Sequence, residues 1–142
     1  EGMSVLVGGP GVHDRDLDIA QGIFRAVGKT LIVEEHMIDA VTGVSGSGPA
    51  YVLLLIEALA DGGVRMGLPR DIAITLATQT VRGTAHLQHQ TGEHPARLKD
   101  RITSPGGTTS AAVHVLEKGG FRGLVSAAVE MATKRATELR SE

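Results

Sequence analysis

The segment Pro49 to Met66, PAYVLLLIEALADGGVRM, is apolar on nearly every helical face, with Glu57 and Asp61 among its few charges. Its length and pattern predict a helix of roughly five turns, buried on most faces. A chain of 142 residues supplies one domain, or one domain plus part of another. Such a chain cannot easily cover every side of that helix by itself. A second copy supplying the missing surface is the economical solution, so the sequence predicts an obligate homodimer.

The rest of the composition narrows the class. With two Phe, one Tyr and no Trp, the core must come from Ala, Val, Leu and Ile, which favours closely packed helices. The same shortage of rings argues against stacking on nucleic-acid bases. Fourteen Lys and Arg stand against sixteen Asp and Glu, with no long basic run, so electrostatic binding to nucleic acid or a membrane surface is not expected. The absence of cysteine excludes disulfides, thiolate metal sites and a cysteine nucleophile. No signal peptide is visible, and the apolar run Ala50 to Ile56 is too short to span a bilayer, so a soluble, cytoplasmic protein is expected.

Two grammars follow one another along the chain. Residues 3 to 33 read strand, helix, strand: SVLVGG, then LDIAQGIFRAVG with a stripe at Leu17, Ala20, Phe24 and Val27, then TLIV. This is the βαβ order of a nucleotide-binding sheet. Gly9-Pro10-Gly11 after the first strand hints at a dinucleotide loop, but Asp14 stands where a third glycine would be, and an acid there repels a pyrophosphate. With a strand so close to Glu1, the chain reads as if it begins in mid-protein. After Glu35 no further strand is expected. Pro69 and Pro95 each open a helix, another spans about Thr109 to Lys118 before Gly119-Gly120, and a last one runs from Phe121 to about Leu139.

The stretch Ser104-Pro105-Gly106-Gly107-Thr108-Thr109-Ser110 lies between two of these helices. One reading is a glycine turn and a threonine-capped helix start. The other is an anion pocket: the first amides of a helix lack partners, the glycines leave room, and Ser104, Thr108 and Thr109 add hydroxyls. No acid pre-empts the first turn, and the capping-box partner position holds Ala111. Both readings stand on the residues alone. No Ser-His-Asp order or paired-carboxylate pattern supports hydrolysis. His86, His89 and His94 lack metal-site spacing and read as a solvated helix face, so no metal is expected. His114 reads as a partly buried helix residue, and Met66 and Met131 as core.

The runs DAVTGVSGSGPAY from Asp39, ALADGGVRMGLPR from Ala58 and EHPARLKDRITSPGGTTSAAVHVLEKGGFRG from Glu93 closely resemble the C-terminal part of pyrroline-5-carboxylate reductase. The resemblance covers nearly all of residues 34 to 142. It implies a mainly α chain: an all-helical dimerisation and substrate-binding domain over 36–142, a bundle like the C-terminal domain of 6-phosphogluconate dehydrogenase. Before it, residues 1–35 are the closing βαβ remnant of a Rossmann domain whose glycine-rich loop is not in this chain. The implied activity is reduction of 1-pyrroline-5-carboxylate to L-proline with NADPH or NADH, in a homodimer or a ring of dimers.

The resemblance also assigns residues. Ser104 and the backbone of Gly107 and Thr108 hold the substrate carboxylate, with Gly106 keeping the approach open. The Thr109 hydroxyl bonds the ring nitrogen and Ile102 lines the ring. Glu35, in the Val33-Glu34-Glu35 segment, stands on the substrate side, where a carboxylate favours a protonated imine. Arg101 and Ser47 lie toward the cofactor. Read without the resemblance, Glu35 is an exposed strand-end acid and SGSGPAY a glycine-softened helix entrance. Two rival functions remain: a non-catalytic dimerisation or regulatory module, and a phosphate-binding domain using Gly9 to Gly11.

Overall fold

A computed structural model describes all of residues 1–142. The elements are β1 (Gly2–Leu6), α1 (Asp14–Phe24), β2 (Gly28–Ile32), α2 (Ile38–Val41), α3 (Gly48–Arg65), α4 (Arg70–Thr91), α5 (Pro95–Arg101), α6 (Thr108–Lys118) and α7 (Phe121–Ser141). The chain is thus mainly helical behind a short βαβ unit. Two compact units divide it, one of residues 1–49 with 126–142 and one of residues 50–125.

In the first unit, β1 and β2 pair in parallel, from Gly2 opposite Gly28 to Leu6 opposite Ile32. A Cβ on Gly28 would collide with the backbone of Gly2, so this glycine sets how closely the strands begin. Helix α1 ends at Phe24, and Val27 falls in the turn beyond it rather than on the helical stripe. Parallel sheets are normally covered on both faces, whereas Leu31 and Ile32 are exposed here. The loop after β1 does not make a pyrophosphate cradle. Asp14 and Asp16 occupy the first turn of α1, and Asp16 Oδ2 accepts from the His13 N–H at 3.0 Å.

After β2 the backbone is helical almost at once, which the glycines of TGVSGSG had concealed. A 3₁₀ turn at Glu35–Met37 leads into α2, a π turn occupies Thr42–Gly46, and α3 follows. Within the continuous helical run Glu35–Arg65, an 18-residue window reaches a mean hydropathy of 1.4, long and apolar enough by length and composition to cross a bilayer. The run Ala50 to Ile56 judged alone understates this.

In the second unit, α3 and α4 form a helical hairpin. Gly67 takes φ +99° in the turn, the Leu68 N–H donates to the Gly63 carbonyl, and Pro69 flanks the start of α4. The helices meet through small residues: Ala60, Ala73 and Ala77 are buried, with Ile56 and Val64 packed beside them. Asp61 and Arg70 form an ion pair across the same turn. Pro95 opens α5, whose flanking His94 accepts the Ala96 N–H on Nδ1 at 3.2 Å. Gly120, at φ +74°, turns the chain from α6 into α7, and Glu117 pairs with Arg122 over that turn.

The prediction that α3 is buried on most faces does not hold within one chain. Only Ala60 of α3 is buried, and Leu53 and Leu54 are 65% and 66% exposed. Met66, Met131 and His114 are likewise exposed rather than core. The reason is common to all of them: one copy offers these faces nothing to pack against.

Candidate functional site

The turn before α6 is built by residue type. The Gly107 N–H donates to the Ser104 carbonyl at 3.1 Å, Pro105 stands second and Gly106 takes φ +69° third, the residue order of a type II turn. Gly107 then flanks the start of α6, so the helix begins at Thr108 and the cap position carries no side chain. The expected threonine cap with Ala111 as its box partner is therefore shifted by one residue, and no side chain closes the helix start. The first bond inside α6 runs from the Ala111 N–H to the Gly107 carbonyl at 3.2 Å. The amides of Thr108, Thr109 and Ser110 consequently have no acceptor in the chain, and together they form an anion-attracting end.

Gly107 matters through what it lacks. A Cβ there would collide with Ser104 Oγ and lie 3.2 Å from the Ser104 carbonyl oxygen. The Ser104 hydroxyl is folded over Gly107, the residue that flanks the start of α6. The Gly107 N–H itself is committed to the turn.

The threonine hydroxyls differ by position. Thr42, Thr75, Thr84, Thr91, Thr103 and Thr133 each donate to the carbonyl four residues earlier, whereas Thr137, 3.2 Å from its own such carbonyl, lies nearer to Asp39 Oδ2 at 2.8 Å. Thr108 and Thr109, at a helix start, have no such carbonyl and keep their hydroxyls for another partner. Thr109 is half-buried and Thr108 exposed.

The neighbouring candidates fall within the same unit. Arg101 ends α5 and is held by Glu93 Oε1 at 2.6 Å through one guanidinium nitrogen, leaving further donors open. Ile102, just beyond, is 61% exposed, an apolar surface beside the turn in sequence.

Glu35 and Ser47 lie in the other unit. Glu35 is exposed and does not end the strand: β2 stops at Ile32, and Glu35 opens the 3₁₀ turn. Ser47 is half-buried, and its N–H closes the π turn on the Thr42 carbonyl at 2.8 Å. Residues passed over by the sequence reading gather around this run. Asp39 bonds Thr137 and Arg140, and Gly43 is buried against α7. A glycine four residues after an acid, inside a helical run, was the signal available for them.

Two exposed ion pairs shift the titration of their own partners. The bond from Arg122 holds the Glu117 carboxyl below its ordinary range and raises Arg122 in return, and Lys134 lowers Glu130 in the same way. Such surface pairs contribute little to stability. No three His, Asp or Glu side chains converge as a metal set.

Residues 35–139 match the family described as "Pyrroline-5-carboxylate reductase dimerisation". The pyrroline-5-carboxylate reductase of Arabidopsis thaliana is 57% identical over 139 residues, covering 98% of this chain and 50% of the relative. That of Synechocystis is 58% identical over 138 residues, covering 97% and 52%. Among solved structures, the Coxiella burnetii reductase superposes with a TM-score of 0.92 at 38% identity, covering 96% of this chain and 51% of that one. The Plasmodium falciparum reductase with NADP bound gives 0.85 at 35% identity, covering 93% and 54%. The chain spans about half the length of the curated relatives it matches.

Proposed function

The chain belongs to the pyrroline-5-carboxylate reductase dimerisation family, and from that premise we propose that it is the dimerising, substrate-binding half of a reductase converting 1-pyrroline-5-carboxylate to L-proline. The observation that carries the reading is the start of α6. Three open amides, the Ser104 hydroxyl and two uncommitted threonine hydroxyls stand within seven residues, polar groups of the kind a small cyclic amino acid needs.

In this reading the substrate carboxylate lies on the Thr108 amide and the Ser104 hydroxyl. The Gly107 N–H is engaged in the turn, so Gly107 and Gly106 serve by leaving room. The Thr109 hydroxyl bonds the ring nitrogen and fixes the ring's orientation, while Ile102 offers an apolar wall. Glu35 favours a protonated nitrogen, which makes the adjoining ring carbon a better hydride acceptor. Residues 1–35 are the closing part of the nucleotide-binding domain.

The cofactor proposed is NADPH or NADH, as the resemblance implies and as NADP in the Plasmodium relative supports. The residues present do not cradle its pyrophosphate, because Asp14 and Asp16 stand at the start of α1. This chain's share is limited to side chains such as Arg101 and Ser47. A reduced nicotinamide, when bound, supplies the hydride.

The test is oxidation of NADPH that depends on 1-pyrroline-5-carboxylate. It is expected of the full-length reductase and not of the purified 142-residue chain. No substrate-dependent oxidation by the full-length protein would overturn the reading.

The dimer is proposed on the exposed α3 face together with the family match. Leu53, Leu54 and Ile74 line an open apolar groove on α3 and α4. Sedimentation at micromolar protein should find a dimer, and Leu54→Asp should shift it toward monomer. A stable, well-folded wild-type monomer would overturn this. Assembly of dimers into a ring is the finer proposal, and it rests on the resemblance.

A further inference from the structure

Two rungs tie the helical run from Glu35 to α7, and a site residue of the proposed reading lies one turn beyond each. At the first rung, Asp39 Oδ2 accepts from Thr137 Oγ1 at 2.8 Å and from Arg140 at 2.9 Å. The Asp39 side chain is only 13% exposed, the most covered carboxylate among the chain's ion pairs. At the second, Gly43 lies so near α7 that a Cβ would collide with Thr133 Oγ1 and stand 2.8 Å from the Val129 carbonyl. Asp39 and Gly43 are one turn apart, as are Thr137 and Thr133, and the pairs meet in opposite order. Two antiparallel helical faces are therefore locked in register.

Glu35 lies one turn before the first rung and Ser47 one turn after the second. Between Gly43 and Ser47 the helix carries its π turn, closed by the Ser47 N–H on the Thr42 carbonyl at 2.8 Å. An inserted residue re-aims everything that follows it, and such turns recur at functional sites. The run is thus pinned where its direction changes, close to both residues that the reading places at the active site.

We propose that Asp39 and Thr137 are positioning residues that act through Glu35. Their bond fixes the turn carrying the Glu35 carboxylate, and neither side chain contacts the substrate. The proposal rests on the reading that Glu35 stands beside the substrate nitrogen.

The test is a double-mutant cycle in the full-length reductase, reading kcat/KM. Asp39→Asn removes the charge that Arg140 meets, and Thr137→Val removes the hydroxyl while keeping the volume. Each should lower kcat/KM about tenfold alone and have little further effect on a Glu35→Gln background, the non-additivity of groups acting as one. Thr137→Ser should keep near-wild-type kcat/KM. Circular dichroism separates misfolding from mispositioning, and Thr137→Val, on an exposed helix, gives the readout if Asp39→Asn misfolds.

Unchanged kcat/KM in both variants, or the same fall with and without the Glu35 carboxylate, would overturn the proposal and leave the clamp structural. Wild-type kcat/KM in Glu35→Gln would instead overturn the Glu35 assignment, and the positioning role with it.

Discussion

Replacing Gly43 by alanine is expected to destabilise the chain by about 2 kcal/mol, despite alanine being the better helix former. In an exposed helix the exchange would stabilise by up to about 1 kcal/mol. Here the added methyl meets Thr133 Oγ1, the Val129 carbonyl at 2.8 Å and the Thr133 amide nitrogen at 3.3 Å. Thr133 can rotate away only by giving up its bond to the Val129 carbonyl, and the two backbone atoms cannot rotate at all. Overpacking of this kind costs about 1–3 kcal/mol, and the upper end applies because α7 itself must move. Urea denaturation at fixed protein concentration checks it. Gly22→Ala, in α1 with open space around it, should shift the midpoint the other way. A Gly43→Ala midpoint at or above wild type would show that the two helices are not packed as closely as described.

That glycine also marks where sequence reading ran out. Helices α3 to α7 were legible because Pro69, Pro95, Gly67, Gly107 and Gly120 mark their ends, each with a single structural job. The helical run before α3 was not. Three glycines within Gly43 to Gly48 suggest a loop by propensity, yet tertiary packing against α7 makes one of them a contact and accommodates a π turn. The bond from Asp39 to Thr137 and Arg140 joins residues about a hundred positions apart, which no local pattern signals.

At the candidate site, the turn chemistry of SPGG was readable, but which amides stay open was not. It depends on whether the helix begins at Thr108 or Thr109, a difference of one residue. The face of α3 was legible in another way: the apolar pattern reports that it will be covered, and the length of the chain pointed to a second copy as the cover.

Removing the Thr109 hydroxyl is expected to lower kcat/KM of the full-length reductase about 10- to 100-fold, the loss of one hydrogen bond to a charged group. Its structural consequence should be small and opposite in sign. Thr109 makes no bond to the preceding turn and stands in the first turn of α6, where alanine is the better helix former by a few tenths of a kcal/mol, so Thr109→Ala should be at least as stable as wild type. Activity lost while stability is kept would assign the hydroxyl to the substrate rather than to the fold.

Volume and hydrogen bonding separate in two further variants. Thr109→Val fills the same space without a hydroxyl and should be as impaired as alanine. Thr109→Ser keeps the hydroxyl and should recover most of the rate. Because the Thr108, Thr109 and Ser110 amides and the Ser104 hydroxyl remain in every variant, carboxylate anchoring should persist, and binding of L-proline should weaken less than turnover falls. Sedimentation should show an unchanged dimer throughout. Wild-type kcat/KM in Thr109→Val would remove this residue from the chemistry and leave the α6 start to anchor the carboxylate alone, through Ser104 and the open amides.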